Sequence, residues 1–188
     1  MPPNNRFLFL RSCTTTLTAP AGRFAVIAVH VAPVKVAGKV SVMLTADAAL
    51  PFAWNAVTFP VQRYAWFALR DPRMLRHTVL WISNGGRHYA PWSGRHTGVM
   101  GIEDITGYFH HGLAESARSN PLSRRGIPTT VKLNPRRPTV VNYIMGAAAL
   151  PAGFDRVADI RAAKGGIELI AANGKRARAV VDLGWLGG

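Results

Sequence analysis

The sequence predicts an all-β fold, and three observations carry that expectation. Long runs with helical apolar spacing are missing. Short apolar segments recur between Gly, Pro, Asn and Asp, with 18 Gly and 13 Pro spread along the chain as turn punctuation. Segments near the C-terminus alternate apolar and polar residues, as a strand with one buried face requires. Such a chain forms a sandwich or an incomplete barrel. Its 188 residues suit one domain, and 48% hydrophobic against 17% charged residues suits a folded one.

The elements follow in order. Residues 1–22 are irregular and expected to be loosely ordered. A single β-sandwich domain is expected over 23–188. Residues 24–34 and 38–45 read as its first strands. Residues 50–76, with Pro51, Pro60 and Pro72, read as a wandering connection carrying Trp54 and Trp66. Residues 78–83 and 97–103 are strands flanking a polar segment. Residues 105–120 have room for a helical turn or two, ended by Asn120-Pro121. Ile127, Thr129, Val131 and Leu133 share one face of a further strand, and residues 139–145 follow the turn at Asn134-Pro135. Strands 167–172 and 175–185 are joined by Asn173-Gly174, which suits a two-residue type I′ turn. In the second of them Ala177, Ala179, Val181, Leu183 and Trp185 face one way, and Arg176, Arg178 and Asp182 the other. The first 46 residues contain no acid, and a larger sandwich lacking its first strands would open in this way.

The charge raises the question of a polyanion. Lys plus Arg number 23, of which 18 are Arg, against 9 acids, for a net +14. Yet the densest basic stretch, 118–137, holds six cations, and the longest runs are the pairs Arg124-Arg125 and Arg136-Arg137. A solvated basic surface is the expected reading, and nucleic-acid binding, for which no motif stands in the sequence, ranks third among the functions considered. The single Cys13 excludes an internal disulfide and suits a reducing compartment. The apolar run Phe7-Leu8-Phe9-Leu10 is too short for a signal-peptide core, and residues 24–34 are too few to span a bilayer as a helix. A cytoplasmic protein without membrane attachment is expected.

Much chemistry is excluded outright. There is no Gly-rich phosphate loop, no dinucleotide fingerprint, no Cys-x-x-Cys and no Gly-x-Ser-x-Gly elbow. His110-His111 have diverging side chains and no third ligand at a useful spacing, so no metal is expected. What remains is the segment NGGRHYAPWSGRHTGVMGIED, residues 84–104. Arg87 and Arg95 offer planar donor forks for hydroxyls and carboxylates. His88 and His96 bring imidazoles, side chains able to give or take a proton. Trp92 offers a flat apolar face or a core anchor. Alternation puts Glu103 on the face of Val99 and Gly101, and a carboxylate on an apolar face is costly unless paired or used. Arg87 and Arg95 are the candidate structural partners for it.

Leu80-Trp81-Ile82-Ser83-Asn84-Gly85-Gly86-Arg87, Pro91-Trp92-Ser93-Gly94-Arg95-His96 and Gly101-Ile102-Glu103-Asp104 together resemble the C-terminal half of aldose 1-epimerase-like proteins. So do Gly112-Leu113-Ala114-Glu115-Ser116, Asn120-Pro121-Leu122 and Gly126-Ile127-Pro128-Thr129-Thr130. These proteins belong to the galactose mutarotase-like superfamily, and the resemblance covers roughly residues 50–160. It implies a β-supersandwich, here incomplete at the N-terminus, and chemistry at the anomeric carbon of a hexose or related sugar. It implies no cofactor, since only protons move. Glu103 matches the family's general base, although Asp104-Ile105 departs from the Gln-then-Pro pattern that follows it in many members. The family's acid lies upstream, where Phe52-Ala53-Trp54-Asn55 offers no His. His96 is then the first choice for that role and His88 the second. Arg87, Arg95, Trp92 and Asn84 are expected to position the sugar. The alternative is a truncated paralogue that binds carbohydrate without turnover.

Overall fold

The computed structural model describes residues 16–18, 25–27, 39–83, 87–95 and 99–187. The first half of the chain supplies β1 (Thr16–Thr18), β2 (Ala25–Ile27), β3 (Lys39–Thr45), β4 (Ala53–Phe59), β5 (Tyr64–Arg70) and β6 (His77–Ser83). After it come β7 (Val99–Ile105), the short helix α1 (Leu113–Ala117), β8 (Tyr143–Ala149), β9 (Val157–Ala163), β10 (Gly166–Ala171) and β11 (Arg176–Val180). The strands form three antiparallel sheets, ordered β1-β2-β4-β5-β8, β11-β10-β9 and β3-β6-β7. The all-β class is therefore as expected. The Cys13 and residues 28–34 discussed above lie outside the described residues. Among the described residues no helix is long and apolar enough to cross a membrane.

The chain divides into two compact units that interleave in sequence. One holds β3, β6, β7 and α1, and the other holds the five-stranded sheet and the β9–β11 sheet.

Residues 50–76 are not a wandering connection, and their middle, Phe52–Arg70, belongs to the second unit. They hold β4 and β5, paired from Ala53↔Arg70 to Phe59↔Tyr64. Asn55, Ala56, Val57 and Thr58 are buried in succession, and so are Phe67, Ala68, Leu69 and Arg70. Strands buried on both faces lose the alternation by which a strand is read, so Pro51, Pro60 and Pro72 dominated the pattern. One hydrophobic core joins both sheets of this unit: Phe67 and Leu69 from β5, Ala148 from β8, Ile160 from β9, Ile167 and Leu169 from β10, and Ala177 from β11. Gly146 stands opposite Phe67, and a Cβ there would lie 2.8 Å from Phe67 Cζ. The glycine is what lets the ring lie across β8.

The C-terminal hairpin forms, with a different turn. Gly174 has φ 84, whereas Asn173 is not among the positive-φ residues, so the two-residue type I′ turn is ruled out. Gly174 N–H donates to Ala171 O at 3.0 Å and Ala171 N–H to Lys175 O at 2.7 Å. This is a three-residue loop with a left-handed glycine in third place. The second strand also stops early. β11 ends at Val180, and Leu183–Gly187 is a 3₁₀ turn that buries Leu186 and leaves Trp185 57% exposed. The period changes from two to three, and Trp185 leaves the buried face.

In the first unit, Met43, Val79 and Glu103 stand side by side across β3, β6 and β7. Met43 and Val79 pack with Phe109 and Leu122, flanked by Ile105, Tyr108 and Ile127. Buried His77 lies within 2.9 Å of Thr45 Oγ1 through Nδ1 and within 3.0 Å of Pro128 O through Nε2. A carbonyl only accepts, so Nε2 carries a proton and donates to Pro128 O.

Residues 127–133 are not a strand. Thr129 Oγ1 donates to Ser116 O at 2.7 Å and accepts from Asn120 Nδ2 at 2.9 Å, which holds the chain against the α1 end instead of a sheet. Val131 and Leu133, expected on the buried face, are 41% and 68% exposed. Buried Asn120 organises this corner. Its Nδ2 also reaches Arg118 O at 3.1 Å, and its Oδ1 accepts from Leu122 and Ser123 N–H at 3.0 Å. Asn120→Ala leaves these buried groups unpaired and is expected to cost about 1–3 kcal/mol, read as a lower urea midpoint.

Candidate functional site

The site grows out of the β6–β7 hairpin. Trp81 stands opposite Gly101, and Val79 opposite Glu103. Residues two apart on a strand share a face, so Trp81 and Glu103 project on the same side. Gly101, with no side chain, lets the two approach. A Cβ there would lie 3.3 Å from Trp81 Cε3 and 3.4 Å from Glu103 Oε1. The indole and the carboxylate thus close over one glycine.

The loop adds the rest. The Arg87 guanidinium carbon sits 4.6 Å from the Trp81 ring centroid and 4.9 Å from that of Trp92, so the cation rests against two indoles. Three hydrogen bonds fold Trp92 back towards Arg87. Gly94 N–H donates to Arg87 O at 2.7 Å, and the N–H groups of Trp92 and Ser93 donate to Tyr89 O at 3.0 and 2.9 Å. The Ala90–Pro91 bond is cis. Arg87 is half-buried, and its buried Nε has no hydrogen-bond partner among the described residues.

The other expected residues fall as follows. Arg95 is exposed, and its guanidinium braces the loop, with Nη2 donating to Pro91 O at 2.6 Å. His88 is exposed, with Nδ1 3.9 Å from where a Cβ on Gly94 would stand. Asn84 and His96 lie outside the described residues. Glu103 is exposed, so the cost of burying it, which first drew attention to it, does not arise. Glu103 stands on the edge strand of its sheet, and Gly101 beside it has no side chain to cover the carboxylate. Neither Arg87 nor Arg95 forms an ion pair with it. Asp104 projects on the opposite face, where it accepts from Thr78 Oγ1 at 2.6 Å. His110 and His111 are exposed with ring centroids 5.0 Å apart, and no group of three or more His, Cys, Asp or Glu stands together among the described residues.

Trp81 is the residue that sequence reasoning left out of the site. Its signal was the period-two series His77, Val79, Trp81, which puts an indole on the Glu103 face at the mouth of the loop. Together the groups offer two half-buried indoles held against one guanidinium, a planar donor for hydroxyl oxygens, and an exposed carboxylate to accept a proton. Compared with protein-family models, with curated proteins and with solved structures, the chain matches none.

Proposed function

We propose that the chain is an aldose 1-epimerase-like protein of the galactose mutarotase-like kind, binding a hexose or related sugar over Trp81, Arg87 and Trp92. The observation that supports this reading is the meeting of Arg87 with the Trp81 and Trp92 indoles, with the Glu103 carboxylate on the Trp81 face across Gly101. Glu103 takes the proton of the anomeric hydroxyl. An imidazole, His96 first and His88 second, protonates the ring oxygen as the C1–O5 bond breaks. Rotation about C1–C2 and reclosure give the other anomer, with each proton returned. Only protons move, so the step calls for no cofactor.

The exposure of Glu103 and His88 favours a second reading, binding without turnover, because this chemistry gains from a site that sheds water. Polarimetry on freshly dissolved α-D-galactose and α-D-glucose separates the two, with Trp fluorescence followed in parallel. Faster equilibration with quenching supports an epimerase. Quenching without acceleration selects the binding protein, and neither effect removes both readings. Trp92→Ala is expected to weaken sugar binding roughly tenfold, about 1.4 kcal/mol, through loss of one stacking face.

A further inference from the structure

Residues 116–141 contain Arg118, Arg124, Arg125, Lys132, Arg136 and Arg137 and no Asp or Glu. All six cations are exposed. Lys132, Arg136 and Arg137 form no ion pair among the described residues. Six like charges on one exposed stretch repel one another, and the sugar reading gives them no task.

The backbone beside them is also unsatisfied. Residues 130–133, Thr-Val-Lys-Leu, have the composition and alternation of a strand yet belong to none. Their N–H and C=O groups make no hydrogen bond among the described residues. Val131 and Leu133 are exposed on this run, and Val140 and Val141 beyond it. An open groove of about 390 Å³ adjoins Thr130, lined also by Arg118, Ser119, Ser123, Ile127 and Pro128. The hydroxyls of Ser116, Ser123 and Thr129 are spent on internal bonds, whereas those of Ser119 and Thr130 have no partner among the described residues.

We propose that this face docks an acidic segment of another protein as an added β-strand. The incoming strand pairs with the backbone of residues 130–133, and its apolar side chains cover Val131 and Leu133. Its carboxylates meet Lys132, Arg136 and Arg137, and one enters the groove beside Arg118, Ser119 and Thr130. Charge selects this occupant over a second copy of the chain, which carries +14 and would bring the same cations to the same face. Single-stranded nucleic acid stacks its bases on aromatic side chains, and none of Phe, Tyr or Trp occurs in residues 112–142.

The test is fluorescence anisotropy with the full chain and a labelled short peptide of alternating Glu and Val. Saturable binding is expected, weakened roughly tenfold or more in a protein carrying Lys132→Glu, Arg136→Glu and Arg137→Glu. Far-ultraviolet circular dichroism matching the parent shows that this variant is folded. The same peptide N-methylated along its backbone keeps its charges but cannot donate, and is expected to lose binding. Equal binding of the methylated peptide overturns strand addition. Absence of peptide binding, or binding of a single-stranded oligonucleotide in preference to the peptide, overturns the proposal as a whole.

Discussion

Glu103→Gln is expected to slow anomer interconversion by roughly 10²- to 10⁴-fold while leaving sugar affinity within a few-fold of the parent. The amide keeps the shape and polarity of the carboxylate but cannot take up the anomeric proton. The surroundings make this a clean substitution. Glu103 is exposed and forms no ion pair among the described residues, so the fold does not depend on its charge. The neighbours that would hold the sugar, Trp81 and Arg87, contact each other directly through the ring face. A thermal midpoint equal to the parent's is therefore expected alongside the rate loss. Polarimetry that finds the rate unchanged removes Glu103 as the base. A loss of affinity as large as the loss of rate would make the carboxylate a sugar-holding group instead.

Phe67→Ala is expected to destabilise the protein by about 3–5 kcal/mol, a large part of the total that a domain holds in reserve. Phe67 is 1% exposed, lies on β5 between β4 and β8, and belongs to the core shared by both sheets of its unit. The vacated volume borders Gly146, which has no side chain to fill it. The same contact supplies a control. Gly146→Ala alone drives a methyl into the Phe67 ring and is expected to cost about 1–3 kcal/mol. In the double variant the ring is gone and the methyl occupies part of its space, so the two costs should sum to clearly more than the measured loss. Urea unfolding of the four proteins reads this directly. Additive costs would show that the ring does not rest on Gly146.

The sequence showed some of this fold and concealed the rest for physical reasons. β6 and β7 were legible as short apolar runs on either side of the polar segment 84–98, and β11 because it alternates small apolar residues with arginines. β4 and β5 were not, because burial on both faces erases the alternation and the prolines around them mimic a loop. The run from Ile127 to Leu133 misled in the opposite sense. It alternates as a strand does, but the hydrogen bonds of Thr129 to Ser116 and Asn120 give the chain a partner that no periodicity encodes. In the site, Arg87, Trp92 and Glu103 were found from their chemistry, and the first two do meet. Trp81 was missed because its role depends on cross-strand register with Gly101, which a single strand does not display. Asn84 and His96 stand outside the described residues, so the roles expected for them stay with the proposal.

The interleaving of the two units bears on how the chain is made. β4 and β5 are adjacent in sequence, but β8, which covers the open edge of β5, is separated from it by β6, β7, α1 and the long basic stretch. Until β8 emerges, that edge and the Phe67 ring are without their native cover, and an unpaired apolar edge is a template for other nascent chains. Translation stalled anywhere before Tyr143 would leave a product prone to clump, so yield in a host cell should respond to chaperone supply and to slower synthesis more than the finished protein's own stability would suggest.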